Sequence, residues 1–231
     1  MVAIADGTLF PLASEPQTED APDYSGCKYW YSLSVMIICD DTRKIWYYLG
    51  GWPGSAHDNQ IFWHTKIAKN AKRYFSPHQY LIGDSAIENN WFVVSAFKKP
   101  TGMEILQQHQ LFNDHMAKLR IISEHTIGIL KGRLPWLRSI CILITDKIES
   151  LEKILHYIDA KIILHNLLIE LNEKEDPDWI DLEEFSDIYD AERAPYKAES
   201  DLNKAVRRDD PKDERRKQVL HYFQEFNPNF V

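Results

Sequence analysis

Residues 79–90 read QYLIGDSAIENN. Tyr80, Leu81 and Ile82 make a short apolar run suited to a buried strand. The run stops at Gly83, and Asp84 follows directly. A carboxylate at the edge of a core is costly unless it is solvated, paired or bound to a cation. Asp84 therefore either caps what comes next or holds something, and the rest of the chain has to decide between the two.

Working outward, VAIAD at the start reads as a strand, and SEPQTEDAPDYSG is a proline- and acid-rich loop. YSLSVMIICDD and KIWYYLGGW are β-branched and aromatic runs joined by a polar turn, which predicts a hairpin. PGSAHDNQIFWHTKIAKNAKRYF predicts a turn and then one helix, with Ser55 as its N-cap and Asp58 near the positive end of its dipole. WFVVSAFKKP, after the 79–90 stretch, is a further strand. LFNDHMAKLRIISEHTIGILKGR is a long helical pattern ending near Pro135, and SLEKILHYIDAKIILHNLLIELN has helical periodicity with a broad apolar face. DERRKQVLHYFQEF predicts a last helix. This order implies an α/β fold, a mixed sheet flanked by helices, with antiparallel strands first and a parallel one later. Asp6 and Asp84 each fall at the carboxyl end of a predicted strand, where open α/β sheets gather ligands.

The chain has 231 residues, enough for one large domain with a real core. Cys27, Cys39 and Cys141 are far apart and form no CxxC pair, which fits reduced thiols rather than a disulfide framework or zinc cage. The opening MVAIADGTLF lacks a basic start, and no apolar run approaches the roughly 18 residues that span a membrane. The expectation is a soluble intracellular protein. The net charge of -8 argues against a nucleic-acid partner until its distribution is considered. Residues 170–201 carry 13 acidic and three basic residues, so the remainder of the chain is slightly basic. We expect a body at 1–172, an acidic peripheral segment at 173–201 and a helical segment at 202–231.

If Asp6 and Asp84 lie on neighbouring strands, their carboxylates repel, and a divalent cation removes the conflict. Mg²⁺ and Mn²⁺ favour hard oxygen ligands and commonly bind carboxylates together with substrate phosphate. Glu124, on a helix anchored by Ile121, Ile122, Ile127 and Leu130, is the best third acid. Arg120 and Lys131 lie on roughly its face and are placed to hold phosphates. Phosphodiester hydrolysis or transfer fits this set, since two metals about 4 Å apart activate a water or hydroxyl and stabilise the leaving oxygen. Taken singly, each acid has an ordinary reading: Asp6 as a turn residue, Asp84 as a helix cap, and Glu124 as a solvated helix residue.

The ordered series IADGTLFPL, YSLSVMIICDD, GWPGSAHDNQIF, YLIGDSAIENNWF, FNDHMAKLRIISEHTIGILKGRLPWLR and ILHNLLIEL resembles the PIF/Harbinger transposases of the DDE endonuclease superfamily. The resemblance runs from residue 1 to about 172. It implies a ribonuclease H-like core and a metal-binding triad that falls on Asp6, Asp84 and Glu124. It implies Mg²⁺ or Mn²⁺ as cofactor, DNA as substrate and a nuclear location. The Asp of the PGS motif falls on Asp58, read as a helix cap before a support for the site or an additional ligand. His165 and Asn166 match an HN pair read as structural. A positive channel would include Lys118, Arg120, Lys131, Arg133 and Arg138. A Myb-like DNA-binding protein and a second copy of the chain are further candidate partners. Family members usually carry a helical DNA-binding region before the first Asp, and with Asp6 so early the expectation is a core without it. Two alternatives stand beside the nuclease: a domesticated, non-catalytic DNA- or protein-binding module, and a metal-free glycosidase with paired acids.

Overall fold

The computed structural model describes residues 2–25, 30–98, 105–172 and 213–226. The acidic stretch expected at 173–201 lies outside them. Five strands form one sheet: β1 (Val2–Pro11), β2 (Ser32–Cys39), β3 (Ile45–Pro53), β4 (Tyr80–Gly83) and β5 (Val93–Val94), in the order β3-β2-β1-β4-β5. The β3-β2-β1 half is antiparallel, and β4 and β5 add to β1 in parallel. This is the mixed, helix-flanked sheet of a ribonuclease H-like α/β fold.

Strand alternation explains why the sheet needs two covers. Ile4 and Phe10 of β1, with Val35, Ile37 and Cys39 of β2, point into one core. Ala3 and Ala5, with Met36 and Ile38, point into the other. Both faces of β2 are buried, which is why SLSVMIIC is polar only at its two serines.

The first core is closed by α4 (Gln107–Arg133) and α5 (Ile148–Glu170), through Phe112, Met116, Ile127 and Leu130 of α4 and Ile154, Ile158 and Ile162 of α5. A final helix, α6 (Glu214–Phe226), inserts Val219 into the same core. It is tied to the β5 side of the sheet by Arg215 Nε donating to the Trp91 carbonyl at 2.9 Å.

The second core is covered by α1 (Asp58–His64), α2 (Lys66–Lys69) and α3 (Ala71–Tyr74). The single helix predicted here is thus three short ones. Thr65 makes the first break: its hydroxyl donates to the Phe62 carbonyl at 2.7 Å and accepts from the Ala68 N–H at 3.1 Å, ending α1 and capping α2. Helix α1 begins at Asp58 with His57 as its flanking residue, so Ser55 is not the cap.

Two strand expectations also change. β1 does not stop at Asp6: β2 pairs with it from Ile4 to Pro11, and the Asp6–Gly7 step is extended chain within the ladder rather than a turn. β5 is only two residues long. Beyond it the side chains of Asn89 and Asn113 take the backbone N–H groups of Ser95 and Phe97, each at 2.8 Å, which replaces further ladder bonds.

Candidate active site

The parallel register sets the geometry. The last β1–β4 pair is Ala5 with Gly83, so Asp6 and Asp84 leave it in step on strands about 4.8 Å apart. Asp6 falls on the face of Ile4 and Phe10, toward α4. Asp84 lies just past the end of β4, and no helix follows it. Its Oδ2 accepts a long 3.4 Å bond from the Ala86 N–H, a turn contact rather than a helix cap.

Helix α4 crosses over these two acids and brings the third. From one position on that helix, the Arg120 guanidinium reaches all three carboxylates. Its Nη1 stands 2.8 Å from Asp84 Oδ1, and its Nη2 stands 3.6 Å from Asp6 Oδ1 and 3.8 Å from Glu124 Oε1. The contacts are graded: one is a close ion pair, and two are ion pairs at longer range. Asp6, Asp84 and Glu124, far apart in sequence, are thereby drawn to one point.

Ser123, absent from the sequence reading, is fully buried on the same helix and donates to Asp6 Oδ2 at 3.0 Å, with the Arg120 carbonyl at 2.8 Å as a second acceptor for its hydroxyl. Its sequence signal was a polar residue on the inward stripe formed by Met116, Arg120, Ser123, Ile127 and Leu130. Two polar positions on an otherwise apolar helix face mark something polar opposite.

These partners do not fully offset the setting of Asp6. Burial, the largest influence, raises its carboxyl from 3.8 to about 7; Asp84 and Asp58 push the same way, while Arg120 and the Ser123 bond oppose them. The cluster holds more negative charge than one guanidinium neutralises.

Asp58 approaches from the other face of the sheet. A methyl group on Gly7 would lie 2.2 Å from Asp58 Oδ1 and 2.4 Å from its Cγ, so the carboxylate occupies the space that glycine leaves open. Gly7 and Asp6 alternate across β1, which places Asp58 across the strand from the other three acids.

The five cations expected to line a channel differ in exposure. Lys118 is exposed, and Arg133 and Arg138 are half-buried. Arg120 is engaged with the carboxylates, and Lys131 is buried, 3% exposed, with its Nζ 5.8 Å from the Phe10 ring. His165 and Asn166 lie away from the acids, on α5. His165 Nε2 is 3.0 Å from the Arg43 carbonyl, and Asn166 bonds both the N–H and the carbonyl of Ile45, each at 2.8 Å. The pair fastens α5 to the start of β3.

A family model described as DDE superfamily endonuclease matches residues 5–166, which take in all four acids and the HN pair. The chain belongs to the DDE superfamily endonucleases. No curated protein and no solved structure matches it.

Nucleases of this superfamily generally use divalent metals and act on DNA. The donors in this DDE endonuclease fit such ions chemically. They are hard carboxylate oxygens around one cationic group, with Asp6 still short of positive charge. Among the described residues, no three His, Cys, Asp or Glu side chains stand close enough together to cage an ion as placed; the Arg120 guanidinium lies against all three acids instead. Also among the described residues, no helix of this endonuclease is long and apolar enough to cross a membrane.

Proposed function

We propose that this chain is the catalytic core of a PIF/Harbinger-type transposase that cuts and joins DNA phosphodiester bonds, with Asp6, Asp84 and Glu124 holding Mg²⁺ or Mn²⁺. The observation that supports this most is the convergence of those three carboxylates on a single cationic group. The ions would supply Lewis acidity and an activated water or hydroxyl at neutral pH. The chain's own residues position and tune the acids. β1 and β4 present Asp6 and Asp84 in register. The Ser123 hydroxyl orients one oxygen of Asp6 and leaves the other facing Arg120. Burial makes Asp6 a poor host for unbalanced charge, which favours a bound cation there. Asp58, pressed against Gly7, supports the strand that carries Asp6, and we assign it that role before one as ligand.

On this reading Lys118, Arg133 and Arg138 contact the DNA backbone. A nuclear location, a Myb-like partner and self-association belong to the same proposal. The test is Mn²⁺ binding by calorimetry, wild type against Asp84→Asn. Binding by the wild type that is lost in the variant supports the reading. A folded wild type that binds no Mn²⁺, with or without duplex DNA, overturns it in favour of a non-catalytic binding module.

A further inference from the structure

The acids of this site converge on Arg120, which stands on the same helix as Glu124, one turn before it, and spans to both strands. Its side chain is only 18% exposed, so it is packed into the cluster rather than waving above it. Its Nε is buried without a hydrogen-bond acceptor, so the guanidinium gives up one of its donors to sit there. A side chain fixed at that cost by three carboxylates occupies the place where their charge is most concentrated. A divalent ion drawn to these carboxylate oxygens competes with this guanidinium for them.

We propose that Arg120 is an internal cation that closes the metal site, holding Asp6, Asp84 and Glu124 together in the metal-free protein and yielding its carboxylate contacts when a divalent ion enters. This rests on the metal-site reading above and adds to it a positioning residue with two competing effects. Arg120 preserves the arrangement of the acids before metal arrives, and it weakens metal binding because its own contacts must break first. The Asp84 contact is the one most costly to release, being the shortest of the three ion pairs.

Removing the guanidinium therefore tightens metal binding while loosening the metal-free protein. In calorimetry with Mn²⁺ alone, Arg120→Met is expected to bind about tenfold more tightly than wild type, as release from a close, partly buried ion pair implies. Arg120→Lys keeps a cation in place and is expected to stay near the wild-type affinity. The metal-free Arg120→Met protein is expected to melt earlier than wild type, with added Mn²⁺ restoring the difference. A purely structural arginine would give the earlier melting without the tighter binding.

A measurement on the wild type avoids any folding defect. With isotope-labelled protein, the Arg120 Nε–H resonance, assigned by its loss in Arg120→Lys, is expected to shift as Mg²⁺ saturates the site. Mn²⁺ binding that depends on Asp84 but is no tighter in folded Arg120→Met, or an Arg120 resonance that stays fixed through saturation, overturns the proposal and leaves the metal-site reading standing. No Mn²⁺ binding by any folded variant overturns both.

Discussion

Arg120 Nη1 forms an ion pair with Asp84 Oδ1 at 2.8 Å, and through this contact helix α4 is fastened to the end of β4. Both side chains keep some solvent contact, 18% and 23% exposed. Partial exposure limits what the pair contributes to folding, and Arg120 retains two other carboxylates when this one is neutralised. Asp84→Asn is therefore expected to change metal-free stability by only about 1 kcal/mol in urea unfolding. A loss several times larger would mean that Asp84 is chiefly a structural anchor.

Asp6 behaves in the opposite way, because it is buried. Its carboxyl is raised from 3.8 to about 7, chiefly by burial. Between those values the folded chain keeps a proton on Asp6 that the unfolded chain has released. Raising the pH through that window therefore lowers stability, and above it the loss is complete, at up to about 4 kcal/mol from this group. Asp6→Asn keeps the shape and removes the charge. Unfolding in the presence of a chelator should show the variant gaining on wild type as pH rises through the window, then holding a constant advantage. A difference that is flat with pH would contradict the burial argument. A residue that costs stability where it stands is consistent with selection for a task other than folding.

Gly7 and Asp58 form the next test. Gly7→Ala places a methyl group 2.2 Å from Asp58 Oδ1, which must push α1 or its first side chain away. The expected cost is about 1–3 kcal/mol. Asp58→Ala removes all three of the clashing atoms, so the double variant should recover much of the loss, with a coupling of about 1 kcal/mol or more. Additive effects would show that the two residues do not meet.

Asn166 offers a control far from the acids. Its amide both donates to and accepts from the backbone of Ile45. Asn166→Ala leaves those groups without their partner and should cost about 2 kcal/mol of stability. Mn²⁺ affinity should be unchanged. Weakened metal binding in a folded variant would move the HN pair from the scaffold into the site.

Lys118 is the exposed member of the proposed DNA contacts. Lys118→Ala should weaken binding across DNA sequences alike and reduce the slope of affinity against salt by about one ion. An unchanged slope would remove Lys118 from the DNA path.

The sequence by itself determined the element order, the mixed sheet and the C-terminal end of α4, and it singled out three acids that the fold brings to Arg120. These follow from periodicity, breaker residues and a family pattern along the chain, all of which are local. The first break in the helical stretch after Asp58 was harder to read, because it turns on whether the Thr65 hydroxyl bonds the neighbouring backbone, which an apolar pattern does not encode. The continuation of β1 through Asp6 and Gly7 was equally hidden, since Asp-Gly favours a turn until a partner strand supplies the ladder. Only the tertiary structure decided that Arg120 faces the acids rather than solvent, that Lys131 is buried beside Phe10, that Ser123 holds Asp6, and that Asp58 lies against Gly7. Each of these depends on what stands opposite a residue across a helix–sheet or strand–helix interface. That is set by register and packing between segments distant in the chain, and no window of sequence contains both sides.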